Sequence, residues 1–139
     1  MSSVRTTVIQ RNQSAQAIKA YERDLKRLVG RAGNLVRETA VNSISREPKT
    51  GVTHIKGGKE VRRSAAGEPP AVDTSYLVNN IFLDVDADGL GATVESRANY
   101  SSFLEFGTSK MAARPFMQPA LVKNRRQIKN KYRKHGVFK

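Results

Sequence analysis

The chain contains no cysteine, so neither disulfide bonds nor cysteine-bound metal ions can stabilise its fold. This composition is compatible with the reducing conditions of the cytosol. No apolar run approaches the roughly 20 residues that span a membrane. The first residues, MSSVRTTVIQRNQSAQ, also lack the apolar core of a signal peptide. We therefore expect a soluble protein that is not exported and has no membrane partner.

Acidic side chains are scarce, because 12 Asp and Glu stand against 25 Lys and Arg, which gives a net charge of +13. Such a balance favours nucleic acid, anionic lipid or an acidic protein surface as a partner. Aromatic residues make up only 6% of the chain, which leaves few platforms on which bases could stack. No acidic residue follows Glu105, whereas the C-terminal segment is rich in cations: Lys123, Arg125, Arg126, Lys129, Lys131, Arg133 and Lys134.

Residues 14–45 have the apolar spacing of a long amphipathic helix. Gly30 and Gly33 lie within it and indicate close packing or a bend, because glycine weakens a helix. The residues that share its apolar face, at steps of three and four, are Ile18, Tyr21, Leu25, Leu28, Ala32, Leu35, Val36 and Ile44.

Residues 46–72 are rich in glycine, proline and basic side chains and show no lasting period. They predict a long mobile loop, with a weak hairpin possible around Gly57 and Gly58. A loop of this length in a small domain can become ordered when it binds a partner. Its candidate partner-docking residues are His54, Lys56, Lys59, Arg62 and Arg63.

The remainder of the chain predicts an α+β fold with a small antiparallel β-sheet. Asp73 or Thr74 is expected to cap a short helix, and the alternation in 81–96, broken by Asp-Gly, predicts a hairpin. A short helix over 98–106 and a basic helix over 118–135 complete the chain. We expect a single domain over 1–139, of which 122–139 form a basic C-terminal extension.

The stretch DVDADGLGATVE, residues 84–95, matches every required position of a calcium-binding EF-hand loop. Its context argues against calcium, because Gly91 replaces a branched apolar residue and GATVES has the period of a strand. There is also no second loop of this kind. We therefore interpret the stretch as an acidic hairpin turn.

Patterns that carry catalysis are absent from the sequence. His54 and His135 have no metal-ligand spacing, and no GxSxG, P-loop or GxGxxG motif occurs. We therefore expect no catalytic residue, no metal and no cofactor.

The run NYSSFLEFGTSKMAARPFMQPAL, residues 99–121, resembles the head–tail joining, or tail-completion, family of long-tailed bacteriophages. Upstream, GEPPAVDTSYL is similar to a proline-rich approach to a D-T-G-x-L turn, with Ser75 where glycine is usual. The order of predicted elements is also similar over nearly the whole chain. The motif residues are Tyr100, Glu105, Phe106, Gly107, Thr108, Arg114, Pro115 and Phe116.

Several of these residues have roles that physical chemistry suggests independently of the family. We expect Phe103, Leu104 and Phe106 to pack one face of the short helix while Tyr100 anchors its start. Gly107 is placed to end that helix with a left-handed backbone.

Arg114 is a natural partner for Glu105, either within the chain or between two subunits. Pro115 and Phe116 are expected to fix and fill the start of the last helix. Loss of Arg114 should then impair folding or ring assembly.

The resemblance implies a structural, non-enzymatic protein of the phage neck, located in the virion and made in the bacterial cytoplasm. Such a protein forms a ring, with six subunits expected from the symmetry of the tail tube. Its partners would be the head-connector or stopper ring and the tail tube or tail terminator. The basic C-terminus would bind acidic surfaces of the adjoining ring or phosphates of DNA in the channel. The alternative is a small basic nucleic-acid-binding protein.

Overall fold

A computed structural model of the chain describes residues 14–136 and confirms the mixed α+β class. The helices are α1 (Ser14–Ser45), α2 (Tyr76–Asn79), α3 (Ser101–Phe106) and α4 (Met117–Lys134). The strands are β1 (Thr53–Lys56), β2 (Lys59–Arg62), β3 (Ile81–Val85) and β4 (Ala92–Ser96). They form two separate antiparallel hairpins, β1–β2 and β3–β4.

The core lies where the second half of α1 meets the other elements. Val36, Ala40 and Ile44 of α1 are buried against Ile81 and Phe116, which are both fully enclosed. Burying a large apolar side chain contributes about 1.5–3 kcal/mol, so these few residues supply much of the stability. Leu77, Ala98 and Ala120 complete the buried cluster.

The bounds of α1 agree with the prediction, but its apolar face is buried over only half of its length. No residue of 14–27 is buried. Ile18 is 58% exposed and Tyr21 is 45% exposed, although both lie on the apolar face that the spacing predicts. Helical spacing identifies a face but not how far the packing partners of that face extend along the helix.

The predicted hairpin over 81–96 is confirmed. Ile81 pairs with Ser96 and Val85 pairs with Ala92. The turn is closed by hydrogen bonds from Asp86 N to Gly91 O, at 2.9 Å, and from Gly89 N to Asp86 O, at 2.8 Å.

The carboxylates at the two ends of the EF-hand-like stretch have a cationic partner. Arg97 donates to Asp84 and to Glu95, at 2.5 Å each, and its guanidinium lies 4.4 Å from the ring centroid of Phe82. Both carboxylates therefore contribute to a surface ion-pair group beside the strands.

The segment 46–72 contains a defined hairpin, so the weak turn signal at Gly57 and Gly58 marks a real element. The two glycines have φ of 58° and 76°, and positive φ at both central residues is typical of a two-residue hairpin turn. The ladder extends beyond the strands, because Arg63 N donates to Val52 O at 3.0 Å. The sequence shows little alternation here because the hairpin is mostly exposed on both faces.

Helix α2 begins differently from the prediction. Neither Asp73 nor Thr74 caps it; the N-cap is Ser75, which has φ of 62° and ψ of 0° and makes no side-chain capping bond. Asp73 instead forms a salt bridge with Lys56 of β1. Ser75 thus adopts the left-handed backbone that glycine adopts at lower cost.

The basic residues after 122 continue α4, which packs on α1. Asn124 is buried and its Nδ2 donates to Thr39 Oγ1 of α1, at 2.8 Å, and to Ala120 O. Such a satisfied buried amide fixes the register between the two helices. Within residues 14–136, no helix is both long and apolar enough to cross a membrane.

Candidate functional site

Glu105 connects the end of α3 to the start of α4. Its Oε2 accepts hydrogen bonds from the backbone nitrogens of Phe116, at 2.9 Å, and Met117, at 3.0 Å. Its Oε1 accepts one from Gln118 N, at 2.8 Å. The first turn of α4 contains no acidic residue of its own, so Glu105 supplies the negative charge that a helix N-terminus favours.

Arg114 does not pair with Glu105, and the predicted salt bridge between them is wrong. Its Nη1 donates instead to the carbonyl oxygen of Ser64, at 2.6 Å, and to Ser64 Oγ, at 2.5 Å. Glu105 instead accepts hydrogen bonds from three backbone N–H groups at the start of α4. Arg114 thereby connects the motif to the end of the β1–β2 hairpin.

Gly107 and Thr108 form the turn that brings α3 back towards α4. Gly107 has φ of 76° and ψ of 178°, so the predicted left-handed conformation is wrong: φ is positive, but ψ is extended, a combination reserved for glycine. A side chain there would also meet Met111 O at 2.8 Å. Thr108 Oγ1 accepts hydrogen bonds from Lys110 N and Met111 N, at 3.2 Å and 3.1 Å.

The aromatic residues of the motif divide into buried and exposed ones. Phe116 is fully buried, as predicted for the residue that fills the start of α4, and Pro115 beside it is half-buried. Phe103 is 55% exposed and Phe106 is 79% exposed, so the expectation that both pack within the domain is wrong. Only Leu104 of that set contacts the core.

Tyr100 stands at the start of α3 as predicted, with its ring 5.9 Å from that of Tyr76. Both rings are partly exposed.

A cavity of about 580 Å³ lies beside the β1–β2 hairpin. We call it the hairpin cavity. It brings four predicted docking residues, His54, Lys56, Arg62 and Arg63, together with Arg114 of the motif. Lys59, the fifth predicted docking residue, lies at the exposed start of β2 and does not line it. Its apolar lining includes Ile55, Val61, Pro70, Val72, Leu104 and Met111.

The hairpin cavity carries unbalanced positive charge. Asp73 is the acidic residue of its lining, and this carboxylate is paired with Lys56. Among the described residues, neither Arg62, Arg63 nor Arg114 forms a salt bridge. The buried Nε of Arg114 and Nδ1 of His54 also lack hydrogen-bond partners, which is unusual for buried polar atoms.

The carboxylate of Glu68 links Thr50 to Ala65, on either side of the β1–β2 hairpin, a role that no sequence pattern predicted. It accepts hydrogen bonds from the hydroxyl and the backbone nitrogen of Thr50 and from Ala65 N. These bonds, the Thr50 hydroxyl first, lower the pKa of Glu68 to about 2. The walls of the hairpin cavity are therefore held by Glu68 as well as by Arg114.

The predicted basic C-terminal residues lie on α4. Of its seven cations, Lys123 forms a long salt bridge to Glu47, at 3.7 Å, within the described part of the chain. Burial raises the pKa of Tyr132, the one aromatic side chain among them. Lys123, Arg126, Lys131 and Lys134 share a shallow exposed depression, whereas Arg125, Lys129 and Arg133 do not line it.

The two histidines are far apart in sequence and in role. His54 lines the hairpin cavity, and His135 follows the end of α4. Among residues 14–136, no group of three or more His, Asp or Glu side chains is arranged to hold a metal ion.

Comparisons of the chain with protein-family models, with curated proteins and with solved structures returned no match. The resemblance to the head–tail joining family therefore depends on the residues of 99–121 themselves. Those residues form one connected unit, in which Glu105 caps α4, Gly107 and Thr108 shape the turn, and Phe116 fills the core.

Proposed function

We propose that this protein is a structural component of the neck of a long-tailed bacteriophage. In this proposal it forms a ring, of six subunits, that completes the top of the tail and joins it to the head connector. The protein has no catalytic role and resides in the virion after synthesis in the bacterial cytoplasm. Its neighbours are the connector or stopper ring on one side and the tail tube or terminator on the other.

The observation that carries the proposal is the exposure of Phe106 in the middle of the motif. Glu105, Gly107 and Thr108 beside it each have a role within the subunit, whereas 79% of the Phe106 surface faces solvent. Large aromatic side chains are enriched in protein interfaces, where their burial supplies much of the binding energy. A contact with a second subunit would give Phe106 the function that it lacks in the monomer.

The experiment is microscopy of the purified chain at increasing concentration, with mass determination on the same samples. Closed particles of uniform diameter with a central hole are expected for the wild-type protein. Phe106→Ala should shift their formation to at least tenfold higher concentration. Val122→Ala is the matched control, because Val122 is also exposed, at 61%, but lies outside the motif. Assembly of the Phe106 variant at the wild-type concentration would contradict the role of this residue, and a chain that remains monomeric throughout would contradict ring formation.

A second candidate function, non-specific binding to nucleic acid, is favoured by the basic face of α4. Each phosphate neutralised by a cation steepens the dependence of binding on salt. If about five of these side chains contact phosphates, a plot of the logarithm of the binding constant against the logarithm of the salt concentration should have a slope of about −4 to −5. If the protein binds duplex DNA at physiological salt with that slope and forms no rings, nucleic-acid binding is favoured over a function in the phage neck. Binding that does not change with salt would exclude it.

A further inference from the structure

At the acidic tip of the β3–β4 hairpin, Asp88 Oδ1 accepts a hydrogen bond from Leu90 N, at 2.8 Å, but the charges of the tip have no cationic partner among the described residues. We define the acidic tip as residues 85–90, which contain Asp86 and Asp88. Neither carboxylate forms a salt bridge to any described residue. Val85 and Leu90, at its two ends, are 47% and 52% exposed. The acidic tip therefore presents two unpaired negative charges between two exposed apolar side chains.

The hairpin cavity has the complementary composition. Arg62, Arg63 and Arg114 supply positive charge without salt-bridge partners, and the remaining walls are largely apolar. Nη1 of Arg114 is engaged with Ser64 and its Nε is buried, whereas Arg62 and Arg63 are exposed to an incoming group. A carboxylate is the group that arginine binds most strongly, through paired hydrogen bonds.

These two features lie far apart along α1, one beside its middle and one near its C-terminal end, so they do not meet within one subunit. At the acidic tip, a Cβ built on Gly89 would lie 2.7 Å from Lys26 Cγ of α1. The hairpin cavity shares Val72, Asp73 and Leu104 with a hollow that reaches Ile44. A helix rises about 1.5 Å per residue, so the 18 residues from Lys26 to Ile44 span about 27 Å.

We propose that the acidic tip of one subunit docks in the hairpin cavity of the next subunit. This inference rests on the proposed ring function and names the contact that would form it. Two different surfaces meet in such a contact, and a contact of this head-to-tail kind closes into a ring when its rotation permits. Val85 and Leu90 then cover the apolar walls while Asp86 and Asp88 bind the arginines.

The composition of the cavity favours this occupant over nucleic acid. Duplex phosphates lie on a convex surface and bring no apolar group with them, whereas much of the cavity wall consists of apolar side chains such as Val61 and Leu104. The acidic tip is convex, carries carboxylates and presents apolar side chains beside them. Each copy of this chain contains one acidic tip and one hairpin cavity, so a homo-oligomer has one tip available for every cavity.

The absence of native cysteine makes a cross-linking test direct. Ala87, which is exposed in the acidic tip, is replaced by cysteine. This protein is mixed with Ile55→Cys protein and treated with a short bismaleimide, and the linked peptides are identified by mass spectrometry. Ile55 lines the hairpin cavity and is 79% exposed. The matched control replaces the second protein by Val122→Cys, whose position is 61% exposed on α4 and away from the cavity. At equal concentrations we expect the yield of the link between positions 87 and 55 to exceed that between positions 87 and 122 at least fivefold.

The outcomes separate this contact from the ring itself. Equal yields of the two links overturn the docking of the acidic tip; if rings are seen by microscopy in the same sample, the ring function remains. If the sample contains no rings and the link is not enriched, both the docking contact and the ring function are contradicted. As a second measurement, the self-association of the double variant Asp86→Asn, Asp88→Asn should be at least tenfold weaker than that of the wild type. Circular dichroism should show that the variant keeps the secondary structure of the wild type. Unchanged association of that variant also overturns the inference.

Discussion

Glu105 Oε2 lies 2.9 Å from the backbone nitrogen of Phe116, eleven residues further along the chain. This bond and its two neighbours connect a carboxylate at the end of α3 to the exposed donors at the start of α4. The same bonds hold Phe116 where its side chain fills the core. Glu105 therefore links the local geometry of the motif to the stability of the whole domain.

Replacement of Glu105 by alanine should reduce the free energy of unfolding by about 2–3 kcal/mol, because hydrogen bonds to a charged group and its attraction to the helix dipole are lost together. Urea denaturation followed by circular dichroism measures the change. Glu60→Ala is the control, since Glu60 is exposed on β2. A loss at Glu105 no larger than at Glu60 would show that the cap is dispensable.

Ser75→Gly should stabilise the protein. Ser75 is the one described residue other than glycine with positive φ, and a left-handed backbone costs a residue with a Cβ roughly 1–2 kcal/mol. Part of that gain is offset by the greater entropy of glycine in the unfolded chain, so the expected gain is about 0.5–1 kcal/mol. The control Ser102→Gly lies inside α3 and should instead destabilise. A lower thermal midpoint for the Ser75 variant would contradict the strain.

The two glycines of α1 should respond in opposite directions to alanine. Gly30 has open space around it, so Gly30→Ala should raise the free energy of unfolding by up to about 1 kcal/mol. A Cβ on Gly33 would overlap Leu83 Cδ1 of β3 and lie 3.3 Å from the Cβ of Ala92. Gly33→Ala should therefore cost about 1 kcal/mol through overpacking. Parallel chemical denaturation of the pair tests this, and an equal gain for both would refute close packing at Gly33.

Glu68 should make stability depend on pH in acid. Its pKa is lowered from 4.5 to about 2, chiefly by the Thr50 hydroxyl, so the folded state favours the ionised form. The resulting stabilisation is present above about pH 4.5 and is lost as the pH falls towards 2. The difference in unfolding free energy between wild type and Glu68→Gln should thus shrink over this interval. A pH-independent difference between wild type and Glu68→Gln would contradict the assignment.

Elements with a strong period or turn signal could be predicted from the sequence. The bounds of α1 match at both ends, and the 81–96 hairpin follows from alternation broken by Asp88-Gly89. The partners of single charged residues could not be predicted in this way. Arg114 binds Ser64, fifty residues away. Glu105 binds backbone N–H groups, which nearly every residue has, so residue identity does not reveal them as partners.

The exposure of Phe103 and Phe106 was missed for a related reason. Their apolar side chains predict burial, but the spacing along α3 does not show whether they pack against the same chain or against another one. The hairpin cavity was also only partly foreseen. The basic residues of 53–63 suggested docking, but their convergence with Arg114 depends on contacts between segments distant in sequence.

The half-buried packing of α1 also implies an uneven distribution of local stability. Residues 14–27 contain no buried side chain, whereas Leu28 and Val29 begin the buried stretch. Amides of the first part can exchange with solvent through fraying, while those of the second require opening of the core. The isolated subunit should therefore show a boundary in hydrogen-exchange protection near Leu28. A partner that covers Ile18 and Tyr21 would move that boundary towards the N-terminus, so the exchange pattern of this one helix reports whether its first half is occupied.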